Sequence, residues 1–118
     1  SWINQPRNLV MQGNVFINNT TKGERDPRRG RRSFADGGWE NWPELYFTTY
    51  EAGATYGPVI LRDNIFVTGP EAKAAVRFEA GGRDIVMEGN ILRGATGAIL
   101  VEGDAKVTLG DNLGAQIK

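Results

Sequence analysis

Four short apolar segments that each run into an asparagine recur along this chain. At positions −5, −3 and +1 from each asparagine the residue is apolar, and the residue just before it is glycine or aspartate. Apolar residues at every second position indicate a strand with one buried face, and glycine or aspartate favours a left-handed or turn backbone. The asparagines that define the repeat are Asn14, Asn64, Asn90 and Asn112.

A second strand-like segment alternates with the first. Residues 75–81 match residues 98–103, and residues 48–53 match both more loosely. The last three asparagines are separated by 26 and 22 residues, so one period holds several short strands. Such periods occur in leucine-rich repeats and in β-helices, and the leucine framework of the former is absent. The sequence therefore predicts one all-β domain, a parallel β-helix of about three to four coils.

Three phrases of the repeat resemble a known group of proteins. They are Gly-Asn-Val-Phe-Ile-Asn-Asn at residues 13–19, Asp-Asn-Ile-Phe-Val at 63–67 and Glu-Gly-Asn-Ile-Leu-Arg-Gly-Ala at 88–95. The chain resembles the right-handed parallel β-helix proteins of the pectate-lyase-like superfamily, in which asparagines stack rung over rung. The phrases are also similar to those of the alginate lyase and chondroitinase B family. That resemblance implies a polysaccharide lyase that works by β-elimination, but no matching motif assigns a catalytic residue here.

Both ends of the predicted solenoid are open. The chain enters a strand at Trp2 and Ile3, and no segment has the pattern of a capping helix. Because the ends of a solenoid must be covered, we expect a fragment of a longer solenoid, capped by the remaining coils or by another chain. Catalytic residues, where the parent protein has them, are then expected to lie partly outside this chain.

One interval of the repeat contains an insertion. Asn14 and Asn64 are 50 residues apart, about two periods, with only one recognisable second strand between them. Residues 20–43 are therefore predicted to be a long loop, and such loops are usually functional or disordered. Arginine binds carboxylate or sulfate groups through paired hydrogen bonds, and tryptophan offers a flat face to a sugar ring. The candidate substrate-binding residues are Arg28, Arg29, Arg31, Arg32, Trp39, Trp42 and Tyr46. The alternative is a solvated loop pinned to the wall of the domain by its tryptophans.

Composition excludes several kinds of site. The chain has no histidine and no cysteine, so triads with histidine, thiolate metal sites and disulfides are excluded within it. Its 14 cationic residues balance 14 acidic ones, which argues against nucleic acid as a partner. No segment approaches the roughly 20 apolar residues of a membrane span, and the N-terminus does not resemble a signal peptide. A secreted, periplasmic or cell-surface location is expected.

Three glutamates are predicted to stack at the ends of successive rungs. Glu51, Glu79 and Glu102 would lie about 4.8 Å apart, and stacked carboxylates repel unless a cation lies between them. A calcium ion is therefore a candidate ligand of these residues, and no other cofactor is expected. The alternative is that the three point apart into solvent or pair with Arg77 and Arg83.

Two further stacks are predicted to be structural. The side-chain amides of the asparagine ladder can satisfy the turn backbone of neighbouring rungs. Gln12, Arg62 and Glu88 form an outward stack that predicts an ordinary salt bridge between rungs.

Three functions remain open from the sequence. The first is an acidic-polysaccharide-binding protein or a polysaccharide lyase. The second is a non-catalytic segment of a surface protein, adhesin or phage fibre. The third is a glycoside hydrolase on the same scaffold, which needs two carboxylates about 5–10 Å apart.

Overall fold

The computed structural model describes residues 2–19, 43–49 and 51–117. Within these ranges every regular element is a β-strand, and every strand pair is parallel. No helix in this part of the chain is long and apolar enough to cross a membrane. The predicted all-β class, with parallel strands in stacked sheets, is confirmed.

The strands form three sheets, which we name A, B and C. Sheet A contains, in spatial order, β1 (Trp2–Asn4), β4 (Pro43–Thr48), β7 (Ala74–Phe78), β10 (Ala98–Val101) and β12 (Gln116–Ile117). Sheet B contains β2 (Leu9–Gln12), β5 (Val59–Arg62), β8 (Ile85–Glu88) and β11 (Val107–Leu109). Sheet C contains β3 (Val15–Ile17), β6 (Ile65–Thr68) and β9 (Ile91–Gly94), and Leu113 forms a bridge to Ile91.

The chain visits the sheets in a fixed order. It passes from sheet A to B to C and returns to A, so that each sheet receives every third strand from β1 to β9. Because the chain returns to each sheet in the same direction, neighbouring strands are parallel. This path is compatible with a β-helix.

The core lies between the three sheets and is built from the same position of successive strands. Phe16 stacks on Phe66 with ring centroids 4.8 Å apart, and Phe47 stacks on Phe78 with centroids 5.1 Å apart. Alternation along each strand points these residues inward, and burial of one such side chain stabilises the fold by about 1.5–3 kcal/mol. The aromatic stacks therefore help to fix the register between neighbouring strands.

The predicted asparagine ladder is present. The side-chain oxygen of Asn90 accepts hydrogen bonds from the backbone N–H of Asn64 at 2.9 Å and from its Nδ2 at 3.0 Å. Nδ2 of Asn90 donates to the carbonyl of Leu61 at 2.8 Å. The same contacts join Asn14 to Asn64 and Asn90 to Asn112. Each interior amide thus satisfies turn backbone of the preceding rung, which is the structural role that the sequence predicted.

The turns that carry the ladder have the backbone that their residues favour. Gly13, Asp63 and Gly89, each just before a ladder asparagine, have φ of 71°, 54° and 69°. This left-handed region is open to glycine and is tolerated by aspartate.

The first two ladder residues lie on neighbouring rungs, although the sequence between them is about twice as long as one repeat. Val15 of β3 pairs with Ile65 of β6, although 50 residues separate them in the sequence. Of the predicted insertion, residues 20–42 lie outside the described ranges, and Pro43 is the first residue of β4.

Candidate functional site

Most of the predicted binding residues lie outside the described ranges. Their role therefore stays a prediction: Arg28, Arg29, Arg31, Arg32, Trp39 and Trp42. The structure does describe Tyr46. It lies in β4 between the core residues Leu45 and Phe47 and so belongs to the outer face of sheet A, the face turned away from the core.

An aromatic and cationic row crosses this outer face. The strand register places Trp2 beside Tyr46 and Tyr46 beside Arg77. The rings of Trp2 and Tyr46 are stacked with centroids 5.8 Å apart, and the Arg77 guanidinium carbon lies 4.5 Å from the Tyr46 centroid. Because β4 lies between β1 and β7, the Tyr46 ring is held between an indole and a guanidinium. Tyr46 and Arg77 are buried, whereas Trp2 keeps 37% of its surface exposed.

A row of oxygen-bearing side chains lies beside it, and we call Thr48, Glu79 and Glu102 the Glu79 row. Oε2 of Glu79 accepts hydrogen bonds from the Tyr46 hydroxyl at 2.9 Å and from the Thr48 hydroxyl. Glu102 accepts two from Arg77, at 2.8 Å from Nε and 3.1 Å from Nη2. The side chain of Arg77 is 5% exposed and that of Glu102 is 40% exposed, so this ion pair is half-buried.

An open cleft of about 300 Å³ is lined by Tyr46, Arg77, Glu79, Ala80 and Glu102. Burial raises the pKa of the Tyr46 phenol; the charge of Arg77 opposes this shift and Glu79 adds to it. The phenol is therefore a neutral donor to Glu79 at ordinary pH. Two carboxylates and one guanidinium line the cleft, so its described charges sum to a net negative value.

A buried tyrosine fixes the backbone of the same glutamate. Tyr56 is fully buried, and its hydroxyl donates to the carbonyl of Glu79 at 2.6 Å. Burial raises the pKa of Tyr56, and the charge of Glu79 acts in the same direction. Glu79 is thus held at its backbone from inside and at its side chain from outside.

Another glutamate on the outer face of sheet A is completely buried. Glu44 of β4 has no exposed surface, and both of its carboxylate oxygens accept the Asn19 backbone N–H at 2.9 Å. This contact ties β4 to the residue shortly after β3. The sequence pattern did not indicate Glu44, because a charged residue in a strand is ordinarily expected to face solvent.

The predicted stack of three glutamates does not form. β4 pairs with β7 with Phe47 opposite Phe78, so the residue in line with Glu79 is Thr48, and Glu51 lies three residues further along. The loose match of residues 48–53 was therefore wrong by three positions. The register follows the buried phenylalanines Phe47 and Phe78, whereas the similarity between the two segments in sequence aligns their glutamates.

The alternative of pairing with arginine is partly confirmed. Arg77 pairs with Glu102, but Arg83 pairs with Asp104 at 2.7 Å. The hydrogen bond from Arg83 holds the pKa of Asp104 below its usual value, and the hydrogen bond from the Gly81 N–H makes a smaller contribution in the same direction. Within the described ranges no group of three or more acidic, histidine or cysteine residues could hold a metal ion. Nothing in this part of the chain therefore supports the calcium candidate at Glu51, Glu79 and Glu102.

The outer faces of the other two sheets differ from that of sheet A. Val10 on sheet B is 54% exposed, and Val15 and Ile17 on sheet C are 57% and 60% exposed. The predicted salt bridge of sheet B is present, with Arg62 Nε 2.7 Å from Glu88 Oε1. Within the described residues, neither face combines aromatic, cationic and acidic side chains in one cleft as sheet A does.

The sequence contained a signal for this cleft that repeat matching did not use. Residues 76–79 and 99–102 align, and at the outward position of this alignment Arg77 stands where the next coil has Leu100. A charged residue that replaces an apolar one in an otherwise regular repeat marks a local departure from the scaffold. Glu79 was proposed for a metal, and its contacts with Tyr46 and Thr48 were not expected.

Comparisons with protein-family models, with curated proteins and with solved structures find no match for this chain.

Proposed function

We propose that this chain is a right-handed parallel β-helix segment of the pectate-lyase-like kind, and that it binds a polysaccharide on the outer face of sheet A. The fold proposal is supported by the passage of the chain through three parallel sheets in turn and by the asparagine ladder. Right-handed connection of parallel strands in one sheet is the strong preference of L-amino acids.

The observation that carries the binding proposal is the cleft on sheet A. It places the Tyr46 ring and the Arg77 guanidinium next to the carboxylates of Glu79 and Glu102, and the indole of Trp2 stacks on Tyr46. Sugars are recognised by ring stacking against aromatic faces and by hydrogen bonds from charged and polar side chains. Trp2 supplies an exposed indole and the Glu79 row supplies acceptors. Rungs spaced by about 4.8 Å place these different contacts side by side along an extended chain.

The arrangement favours binding over β-elimination. A lyase of uronic acids needs a cation at the substrate carboxylate and a base at the C5 proton. Here Arg77 is engaged by Glu102 through two hydrogen bonds, and the raised pKa of Tyr46 opposes formation of a phenolate base. The described cleft therefore offers neither group in the form that elimination requires. The acidic-polysaccharide and lyase proposals depend on the predicted arginines of the insertion.

A glycoside hydrolase is the second candidate, and one observation favours it. Glu79 and Glu102 lie on adjacent strands of one cleft, at a strand spacing of about 4.8 Å that approaches the 5–5.5 Å of retaining enzymes. The pair differs from Glu51 and Glu79, which the sequence suggested. Hydrolysis would require one of these carboxyl groups to donate a proton to the leaving oxygen.

Gel retardation in the presence of soluble polysaccharides tests the binding proposal. Wild type is expected to be retarded by at least one polymer of a panel that includes alginate, pectate, chondroitin and a neutral glucan. Trp2→Ala should lose most of that retardation, because the exposed indole is removed. Val10→Ala, which shortens an exposed residue of the same coil on sheet B, is the matched control and should behave as wild type.

Two product assays on the same panel separate binding from catalysis. Unsaturated product absorbing in the near ultraviolet would establish a lyase, and new reducing ends without such absorbance would establish a hydrolase. Retardation without either product is the expected result. Absence of retardation by every polymer contradicts the proposal.

A further inference from the structure

We propose that Glu79 selects the ligand of the sheet A cleft, and that the sugar bound there donates hydrogen bonds and carries no carboxylate. Such a ligand is a neutral sugar or a protonated amino sugar, and the amino sugar is expected to bind with the higher affinity. This inference rests on the proposed polysaccharide binding and narrows it to a chemical class.

The first observation is the organisation of the Glu79 carboxylate. Its Oε2 accepts two hydroxyl hydrogen bonds, from Tyr46 and from Thr48, both of which are buried. Its Oε1 accepts none from the described residues, and Glu79 is only half-buried in an open cleft. An ionised carboxylate is acceptor-only, so the remaining oxygen is open to a donor from solvent or from a ligand. A fixed carboxylate that lines a cleft, with one oxygen that accepts from no described residue, can therefore accept a hydrogen bond from a hydroxyl or an ammonium group.

The second observation is that the guanidinium of the cleft is already neutralised. Arg77 is held by both oxygens of Glu102 and lies over the ring of Tyr46. Its side chain is 5% exposed, whereas that of Glu102 is 40% exposed. The charge that a ligand meets in the described cleft is therefore that of Glu79 and Glu102. A uronic acid placed there would bring a third carboxylate beside these two, and like charges in a half-buried site repel.

The third observation is that the position of Glu79 is fixed before a ligand arrives. Tyr56 holds its backbone carbonyl at 2.6 Å from a fully buried site, and the Glu79 N–H donates to Phe47 at 2.9 Å. A group fixed in this way binds without a further loss of side-chain entropy. A hydrogen bond to such a charged group contributes about 1.5–3 kcal/mol, which corresponds to about tenfold or more in affinity.

Calorimetric titration of the full chain with three polymers tests the inference. The polymers are a neutral glucan, a fully deacetylated amino-sugar polymer at a pH that keeps its amino groups protonated, and polygalacturonate. Wild type is expected to bind the amino-sugar polymer best and polygalacturonate at least about tenfold more weakly. Glu79→Gln should lose about tenfold on the amino-sugar polymer, since a neutral amide replaces the carboxylate.

Two further variants keep the test decisive. Glu102→Gln removes one of the two carboxylate charges of the cleft and should strengthen polygalacturonate binding. This variant still tests the inference if Glu79→Gln does not fold. Glu88→Gln removes a half-exposed carboxylate on sheet B and should change nothing in either titration.

The outcomes separate the inference from the function on which it rests. Preference for polygalacturonate, wild-type affinity for the amino-sugar polymer in a folded Glu79→Gln, or unchanged polygalacturonate binding in Glu102→Gln would overturn the inference while leaving polysaccharide binding intact. Binding of none of the three polymers would overturn the inference and the proposed function together.

Discussion

The asparagine ladder and the Glu79 row are both stacks of polar side chains on successive rungs, and they differ in what each rung contributes. The ladder repeats one residue type, and each interior amide is used by its neighbours; Asn64 and Asn90 are buried. The Glu79 row changes from threonine to glutamate to glutamate, is partly exposed, and leaves one oxygen of Glu79 without a donor from the described chain. Identical residues stacked in full satisfaction build the scaffold. The Glu79 row changes from rung to rung and keeps an acceptor that no described residue uses, and the proposed binding site depends on that acceptor.

Breaking the ladder at its centre should have the largest effect on stability. Asn90→Ala removes the acceptor of two Asn64 donors and the donor to the Leu61 carbonyl, all in the interior. Each buried polar group left without a partner costs about 1–3 kcal/mol, so we expect a loss of about 3–5 kcal/mol in the free energy of unfolding. Urea denaturation followed by circular dichroism measures it.

The outer ladder residue provides the matched control. Asn14→Ala removes an exposed amide and should cost no more than about 1 kcal/mol. Equal losses at the two positions would mean that the ladder does not stabilise the fold by satisfying buried backbone.

The second largest effect is expected from raising the pH, which should weaken the surroundings of the Glu79 row and leave the asparagine ladder unaffected. The ladder contains no titrating group, whereas Tyr46 and Tyr56 contact Glu79 and have raised pKa values. A phenol with a raised pKa in the folded state contributes stability that is complete below its unfolded pKa of about 10 and is lost as the pH rises beyond it. Stability should therefore fall by about 2 kcal/mol between pH 9 and pH 11.

Phenylalanine variants assign this alkaline loss. Tyr46→Phe and Tyr56→Phe should each flatten the pH dependence of the unfolding free energy, and the double variant should flatten it most. Asn14→Ala should leave the slope unchanged. An alkaline slope that persists in the double variant would place the titrating groups elsewhere.

The scaffold could be predicted from the sequence because its determinants repeat. Apolar positions at −3 and −5 and a turn residue before Asn14, Asn64 and Asn90 recur with the same spacing, and each repeat reports the same local geometry. All-β parallel sheets, the ladder and the pair of Arg62 with Glu88 followed from that pattern.

The site could be predicted only in part. Its contacts join residues of neighbouring strands, and the register of those strands is set by side chains in the core. The predicted pairing of Arg77 with a glutamate is confirmed, whereas the sugar-binding role of Tyr46 stays a prediction. The contact of Thr48 with Glu79 required knowing that Phe47 lies opposite Phe78. A register fixed by buried stacking of rings is not visible when two segments are matched by their acidic residues.

Removing a hydrogen bond that positions the Glu79 carboxylate should lower stability only slightly and should lower the affinity of the cleft for its ligand. Thr48→Val removes one of the two hydroxyls that bond Oε2 and keeps the shape of a buried residue. We expect a loss of about 1 kcal/mol in stability and a several-fold loss of affinity for the polysaccharide that wild type binds.

Thr68→Val is the control for this change. Its hydroxyl is also buried and is hydrogen-bonded to the carbonyl oxygens of Arg93 and Thr96, and Thr68 belongs to sheet C and does not line the cleft. It should cost similar stability and leave binding unchanged. Equal losses of affinity in both variants would show that Thr48 acts through general stability and not through Glu79.

The salt bridge between Arg62 and Glu88 on sheet B should contribute least to stability, although it joins the same two residue types as the pair of Arg77 and Glu102 in the cleft. Arg62 and Glu88 are 41% and 43% exposed, whereas the Arg77 side chain that pairs with Glu102 is 5% exposed. An exposed pair gains little, because water and salt screen the attraction and two side chains lose freedom. A double-mutant cycle of Arg62→Gln and Glu88→Gln, measured by urea unfolding, should give a coupling below about 0.5 kcal/mol that vanishes in high salt. A coupling well above 1 kcal/mol would mean that sheet B also holds an organised charged cluster, and the distinction between a plain outer face and a site face would then fail.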